Sequence, residues 1–181
     1  LDAPADFDAA IVVSPGLQID AAPSRPILDA SSEALIMRLQ DLQAPACFIK
    51  LVHRILHVCP VEQRVTHAEY FAGVKEVTAA HRRAGHAAAS FELLDGDDET
   101  QNMLSNIGFV KASRMSCSVI DGGASTSAPV CSSFVFMNSG TARRSCCVPL
   151  GDETVPSVAA ANIMVARVLL LRWIFMSRMI F

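Results

Sequence analysis

The chain has 181 residues, with 15 Lys and Arg against 18 Asp and Glu, and its net charge of -3 excludes an interface with nucleic acid or anionic membrane built on overall basic charge. That length fits one domain. A hydrophobic fraction of 51% that includes one Trp and one Tyr is mostly Ala, Val, Leu and Ile, a composition suited to helices packed on a buried sheet.

Residues 1–28 carry Pro4, Pro15, Pro23 and Pro26 among Ala and Asp and read as an extended lead-in, with a short strand at residues 10–13. Residues 29–181 read as one α/β domain, truncated at its C-terminus. A helix is predicted from Asp29, capped by Ser31 or Ser32, with Leu35, Ile36, Leu39 and Leu42 on one face and Pro45 as its stop. The run 47–58 is ambiguous, but Phe48, Ile49, Val52, Ile55, Leu56 and Val58 favour helix over strand.

A βαβ unit follows, with a strand at 65–71, a helix at 74–84 ended by Gly85, and a second strand at 87–93. Strands joined this way run parallel through a right-handed crossover. Residues 95–99 form an acidic loop, and 100–115 a helix broken or capped at Gly108. Gly122 and Gly123 read as a turn, residues 127–130 as a strand delivering Cys131 to its carboxyl end, and 139–145 as a polar basic loop. Pro156 opens a long helix at 157–171, apolar on most of its surface. The apolar tail 163–181 is interrupted by Arg167, Arg172 and Arg178 and falls short of the ~18 uncharged residues of a span. It is expected to be a buried helix in preference to an interfacial amphipathic one, with no membrane span, and offers a surface for self-association. The fold class expected is α/β, a partial doubly wound, Rossmann-like, mostly parallel sheet with helices on both faces.

Chemistry-bearing residues concentrate in two places. Tyr70-Phe71-Ala72-Gly73 is an apolar run into a glycine turn, and Glu92 follows Gly73 by 19 residues, the spacing at which an acid accepts from a ribose hydroxyl pair while the turn exposes backbone N–H groups. Cys131, at a strand end, stands where a nucleophile is useful, although free cysteine is also one of the most buried residue types. Cys47, Cys59, Cys117, Cys131, Cys146 and Cys147 contain no CxxC pair and read as reduced thiols of an intracellular protein. His53 and His57 have helical metal spacing beside Cys47, Cys59 and His67, and Glu69, Asp95, Asp97 and Asp98 have carboxylates for a cation. Both sets read better without a metal, as helix-surface histidines and a solvated loop. His81, Arg82, Arg83 and His86 suit the negative end of a helix dipole.

Tyr70-Phe71-Ala72-Gly73, Phe91-Glu92, Asn102 and Pro129-Val130-Cys131-Ser132-Ser133-Phe134 stand in the order of the first half of a cytosine-C5 DNA methyltransferase, and the chain resembles that family over residues 65–172. The segments Tyr70 to Gly73, Phe91 to Leu93, Pro129 to Ser133 and Pro149 to Gly151 are closer still to an expanded, uncharacterised group of methyltransferase-like protist proteins. The resemblance implies that Phe71, Ala72 and Gly73 line S-adenosylmethionine, that Glu92 holds its ribose, and that Cys131 attacks a flipped-out cytosine in DNA. Ser132 and Ser133 would then lie over the substrate, with Arg143 and Arg144 meeting phosphate. The chain departs from the family pattern at Val130, which splits the Pro-Cys pair, at Lys75 and Glu76 beside the turn, and at the distal Glu-Asn-Val segment, which has no counterpart. The alternative expectation is a non-catalytic structural or interaction module derived from the same fold.

Overall fold

The computed structural model describes residues 28–95, 99–129, 134 and 138–179. Helix α1 (Ala30–Asp41) starts where the Asp29 carboxylate accepts the Ser32 N–H at 2.6 Å, so Asp29 caps it rather than Ser31 or Ser32. Leu35 and Leu39 are fully buried on its inner face, and Gln43 turns the chain at φ 59° two residues before Pro45. That proline opens α2 (Ala46–Val58), whose Phe48, Val52, Ile55 and Leu56 point inward at helical spacing, so the ambiguous run is a helix.

Strand β1 (Val65–Tyr70), helix α3 (Glu76–Arg83) and strand β2 (Ala88–Phe91) form the βαβ unit, α3 and β2 one or two residues shorter at each end than their sequence patterns and β1 one residue shorter at its C-terminal end. β1 and β2 are parallel, with His67 opposite Ala88 and Tyr70 opposite Phe91. Strand β3 (Val119–Ser127) pairs parallel with the other edge of β1, giving the order β2-β1-β3. The architecture is therefore α/β, a three-stranded parallel sheet flanked by helices.

β3 corrects two sequence expectations. Gly122 and Gly123 lie inside the strand and not in a turn, and residue 127 ends the strand instead of beginning it. The glycines answer to the sheet: Gly122 has φ 75° where the β1 register shifts between Val65 and His67, the geometry of a bulge. A Cβ on Gly123 would press on the Val119 side chain and approach the Thr66 carbonyl oxygen at 3.0 Å. A flexible-looking Gly-Gly-Ala-Ser-Thr run is thus a strand that must approach its neighbour closely.

Helix α4 (Asn106–Cys117) begins later than its pattern, after a 3-10 turn at Glu99–Gln101, because Ser105 caps it by accepting the Gly108 N–H at 2.9 Å. Gly108 neither breaks nor ends the helix. The basic loop expected after residue 138 contains a short helix, α5 (Ser139–Ala142). Helix α6 (Pro156–Arg178) runs seven residues past residue 171 and is, by length and composition, apolar enough to cross a membrane. Here it packs on β3, α1 and α4.

Two of the arginines in α6 point into the molecule. Arg167 donates to the carbonyls of Met103 and Ser105 at 2.6 and 2.7 Å, to Asn106 Oδ1 at 2.8 Å, and lies over the Phe109 ring. Arg178, 2% exposed, donates to Asp121 Oδ1 at 3.2 Å and to the Cys117 carbonyl at 3.1 Å. The core lies on one face of the sheet, where Ala68 and Tyr70 meet Phe48, Val52, Phe109, Ala112 and Phe175. The Tyr70 hydroxyl is satisfied there by Ser116 Oγ at 2.6 Å. The opposite β1 face carries His67 and Glu69 and is met by α3.

Candidate cofactor site

The turn after β1 is held by alternating left-handed residues: Phe71 at φ 58°, Gly73 at 50° and Lys75 at 60°. Glycine adopts that region freely, but a bulky Phe and a Lys there store about 1 kcal/mol or more of strain each, a feature that clusters at ligand sites and switches. Internal bonds hold them in place. Phe91 O accepts from Phe71 N at 2.9 Å and Ala72 N at 3.4 Å, and Ala72 O accepts from Lys75 N at 2.7 Å. The Glu92 carboxylate accepts the Gly73 N–H at 2.7 Å, so the glycine and the acid that the sequence paired at a distance of 19 residues are in direct contact.

Phe71, Ala72, Gly73 and Glu92 thus form one cluster at the carboxyl end of β1 and β2, the edge where open α/β sheets bind ligands. A Cβ built on Gly73 meets nothing within 4 Å, so the outer side of the turn is open. Lys75 reaches across to an ion pair with Asp95, in the short helical turn (Leu93–Asp95) that follows β2. Glu92 has one oxygen committed to Gly73 and the other 3.5 Å from Leu94 N, which leaves carboxylate lone pairs for a further donor such as a ribose hydroxyl.

Glu69 has a role that sequence reading missed. Its Oε2 accepts both Thr78 N at 2.7 Å and Thr78 Oγ1 at 2.6 Å, which satisfies the first turn of α3 from the neighbouring strand. The N-cap residue of that helix, Lys75, supplies no side-chain bond of its own. An acid inside an otherwise buried strand, ahead of a helix with no capping side chain, was the available signal. Replacing Glu69 with Ala is expected to fray α3 and cost about 2 kcal/mol, since it removes a buried acceptor from two donors. Amide exchange at Thr78 and the denaturant midpoint measure this, and unchanged protection would refute it.

Beside Glu69, the buried His67 ring stacks on His81 at 4.0 Å between centroids and lies 3.2 Å from Thr126 Oγ1. Burial lowers the His67 pKa, the nearby His81 charge adds to that, and Glu69 opposes it. His81 is therefore engaged with the sheet, and Arg82 bonds Ala88 O, so these cations do more than answer the helix dipole. His53 and His57 stack one turn apart on α2, and among the described residues no group of three or more His, Cys, Asp or Glu lies together as a metal would require.

Arg143 and Arg144 are engaged within the chain. Arg143 pairs with Asp152 at 3.3 Å, and Arg144 donates to Pro149 O at 2.6 Å and Asn162 Oδ1 at 2.8 Å with its guanidinium 3.9 Å from the Phe134 ring centroid. They brace the segment after α5 against α6. Cys131, Ser132 and Ser133, with Asp97 and Asp98, lie outside the described residues. The chain leading to Cys131 does leave the sheet at the same end as the Gly73 turn, with Ala128 N bonded to Tyr70 O at 3.2 Å. Cys117, the buried thiol, has its pKa pushed up to about 12 by burial, against a smaller opposing effect of Arg178, which keeps it a protonated thiol. No protein-family model, curated protein or solved structure matches the chain.

Proposed function

We propose that the chain is an S-adenosylmethionine-binding, methyltransferase-like domain with a partial Rossmann-like sheet, whose adenosine group sits on the β1–α3 turn. The observation that carries this reading is the Gly73–Glu92 contact at the carboxyl end of adjacent parallel strands. Internal bonding of the turn adds to it. The N–H groups of Phe71, Ala72, Gly73, Lys75 and Thr78 all have partners within the chain, which holds the turn in one shape for a ligand.

Bound there, the cofactor would supply an electrophilic methyl group. Glu92 would accept from the ribose hydroxyls, and Phe71 and Ala72 would flank the adenosine. On this reading the substrate class is cytosine in DNA, and Cys131 is the nucleophile that adds to the ring. Titration of the chain with S-adenosylhomocysteine tests the cofactor site by calorimetry. The expected result is saturable binding that Glu92→Ala weakens about tenfold, the value of about one hydrogen bond to a charged acceptor. Absence of saturable heat, or binding indifferent to Glu92→Ala, would overturn it.

A second reading, a non-catalytic module, is favoured by the Lys75–Asp95 pair, which ties the rim of the turn together without a ligand. On α6, Ile163 and Leu169 are about half exposed and would give such a module contact surface.

A further inference from the structure

Strand β2 pairs with β1 on one side, and among the described residues no strand pairs its other side. The carbonyls of Ala87 and Phe91 accept from N–H groups of Thr66 and Phe71, so these alternate residues face β1 and Ala88 and Ser90 face outward. The Arg82 guanidinium covers Ala88 O with bonds of 3.0 and 2.8 Å, a common way to blunt an edge. Ser90 is left with its N–H and C=O turned out of the sheet.

That edge opens into a groove of about 460 Å³ between β2 and α4, a volume that accommodates several side chains. Its charge is one-sided. Arg64, Lys111 and Arg114 line it against the single acid Glu62, although the whole chain carries a net charge of -3. Lys111 and Arg114 are three apart on α4 and so share a face. Among the described residues the Arg114 guanidinium has no hydrogen bond or ion pair, and the Arg64–Glu62 pair is long, at 3.9 Å, and exposed. Gln101, also in the groove wall, has a buried Oε1 with no hydrogen-bond partner among the described residues.

We propose that this groove binds an acidic peptide segment in extended conformation, which joins the sheet as a strand beside β2. The main-chain groups of Ser90 fix its register by a pair of hydrogen bonds. Acidic side chains at alternate positions, about 6.6 Å apart along the segment, meet Arg64, Lys111 and Arg114, and an N–H from the segment satisfies Gln101. A small organic anion would use the cations and has no need of the strand edge. The two occupants therefore separate on backbone chemistry.

The test is fluorescence anisotropy of a labelled alternating Glu-Val hexapeptide titrated against the full chain at low salt. Saturable binding is expected, weakened about tenfold by Arg114→Gln and further by Lys111→Glu, and falling as salt rises. N-methylation of alternate peptide amides, which keeps every charge, is expected to abolish binding because it removes the donors to the edge. Arg114→Gln is the milder variant and keeps the test valid if Lys111→Glu unfolds. Equal binding of the N-methylated peptide, displacement by glutarate at matching concentration, or no saturable signal would each overturn the proposal.

Discussion

Replacing Asp121 with Ala is expected to destabilise the fold by about 3 kcal/mol, because it strands a buried charge. Asp121 lies on β3 and holds two arginines from opposite ends of the sequence. Arg38 from α1 reaches both its oxygens at 3.1 Å, and Arg178 from the last turn of α6 reaches Oδ1 at 3.2 Å. The Arg178 side chain is 3% exposed and Asp121 about a third exposed, which places the cost at the low end for a broken buried pair. Once Asp121 is gone, Arg178 keeps, among the described residues, only the Cys117 carbonyl. Adding Arg178→Met to the Asp121 variant is therefore expected to restore part of the loss. Chemical denaturation of both variants checks this, and an equal or greater loss in the double variant would refute it.

The same residue sets an acid limit. Burial raises the Asp121 pKa, but the hydrogen bonds and charges of Arg178 and Arg38 outweigh it and hold the carboxyl below its ordinary 3.8. A carboxyl depressed on folding contributes stability that is fully present above its unfolded value and is lost as pH falls through the folded one. The wild type should thus lose this contribution below about pH 4, and Asp121→Asn should flatten that part of the acid limb.

Gly108→Val is expected to cost about 3 kcal/mol, at the upper end for overpacking, because the obstacle is backbone. A Cβ at residue 108 would overlap the carbonyl oxygen of Asn102, and no rotamer of either residue relieves that. The segment beneath cannot yield cheaply either, since Arg167 is bonded to the Met103 and Ser105 carbonyls on the same stretch. Even Gly108→Ala should show most of the effect. Val110→Ala, on the exposed side of α4, should change stability by less than about 0.5 kcal/mol. Similar denaturant midpoints for Gly108→Val and Val110→Ala would contradict the account.

Local signals carried the βαβ unit. The apolar run into the glycine turn, and the helix ended by Gly85, located β1, α3 and β2 to within one or two residues. The pairing of Gly73 with Glu92 was legible because a parallel βαβ unit fixes how far apart two strand ends lie in sequence. Long-range constraints were not legible. Gly122 and Gly123 carry turn chemistry, yet close approach of β3 to β1 places them in a strand. The three arginines of the apolar tail read as interruptions, whereas two of them are the bonds that fasten α6, through partners 57 to 64 residues away. Glu69 reads in the sequence as one of a set of solvated carboxylates because its partner, Thr78, becomes a helix first turn only after α3 has formed.

The central claim is that the β1–α3 turn is an adenosine-cofactor site, and the most direct measurement is a backbone amide NMR titration with S-adenosylhomocysteine. The account predicts saturable shifts centred on Phe71, Ala72, Gly73 and Leu93, with the amides of α1 and α6 unmoved. Saturation with shifts confined to other elements, or no shift at Gly73, would contradict it.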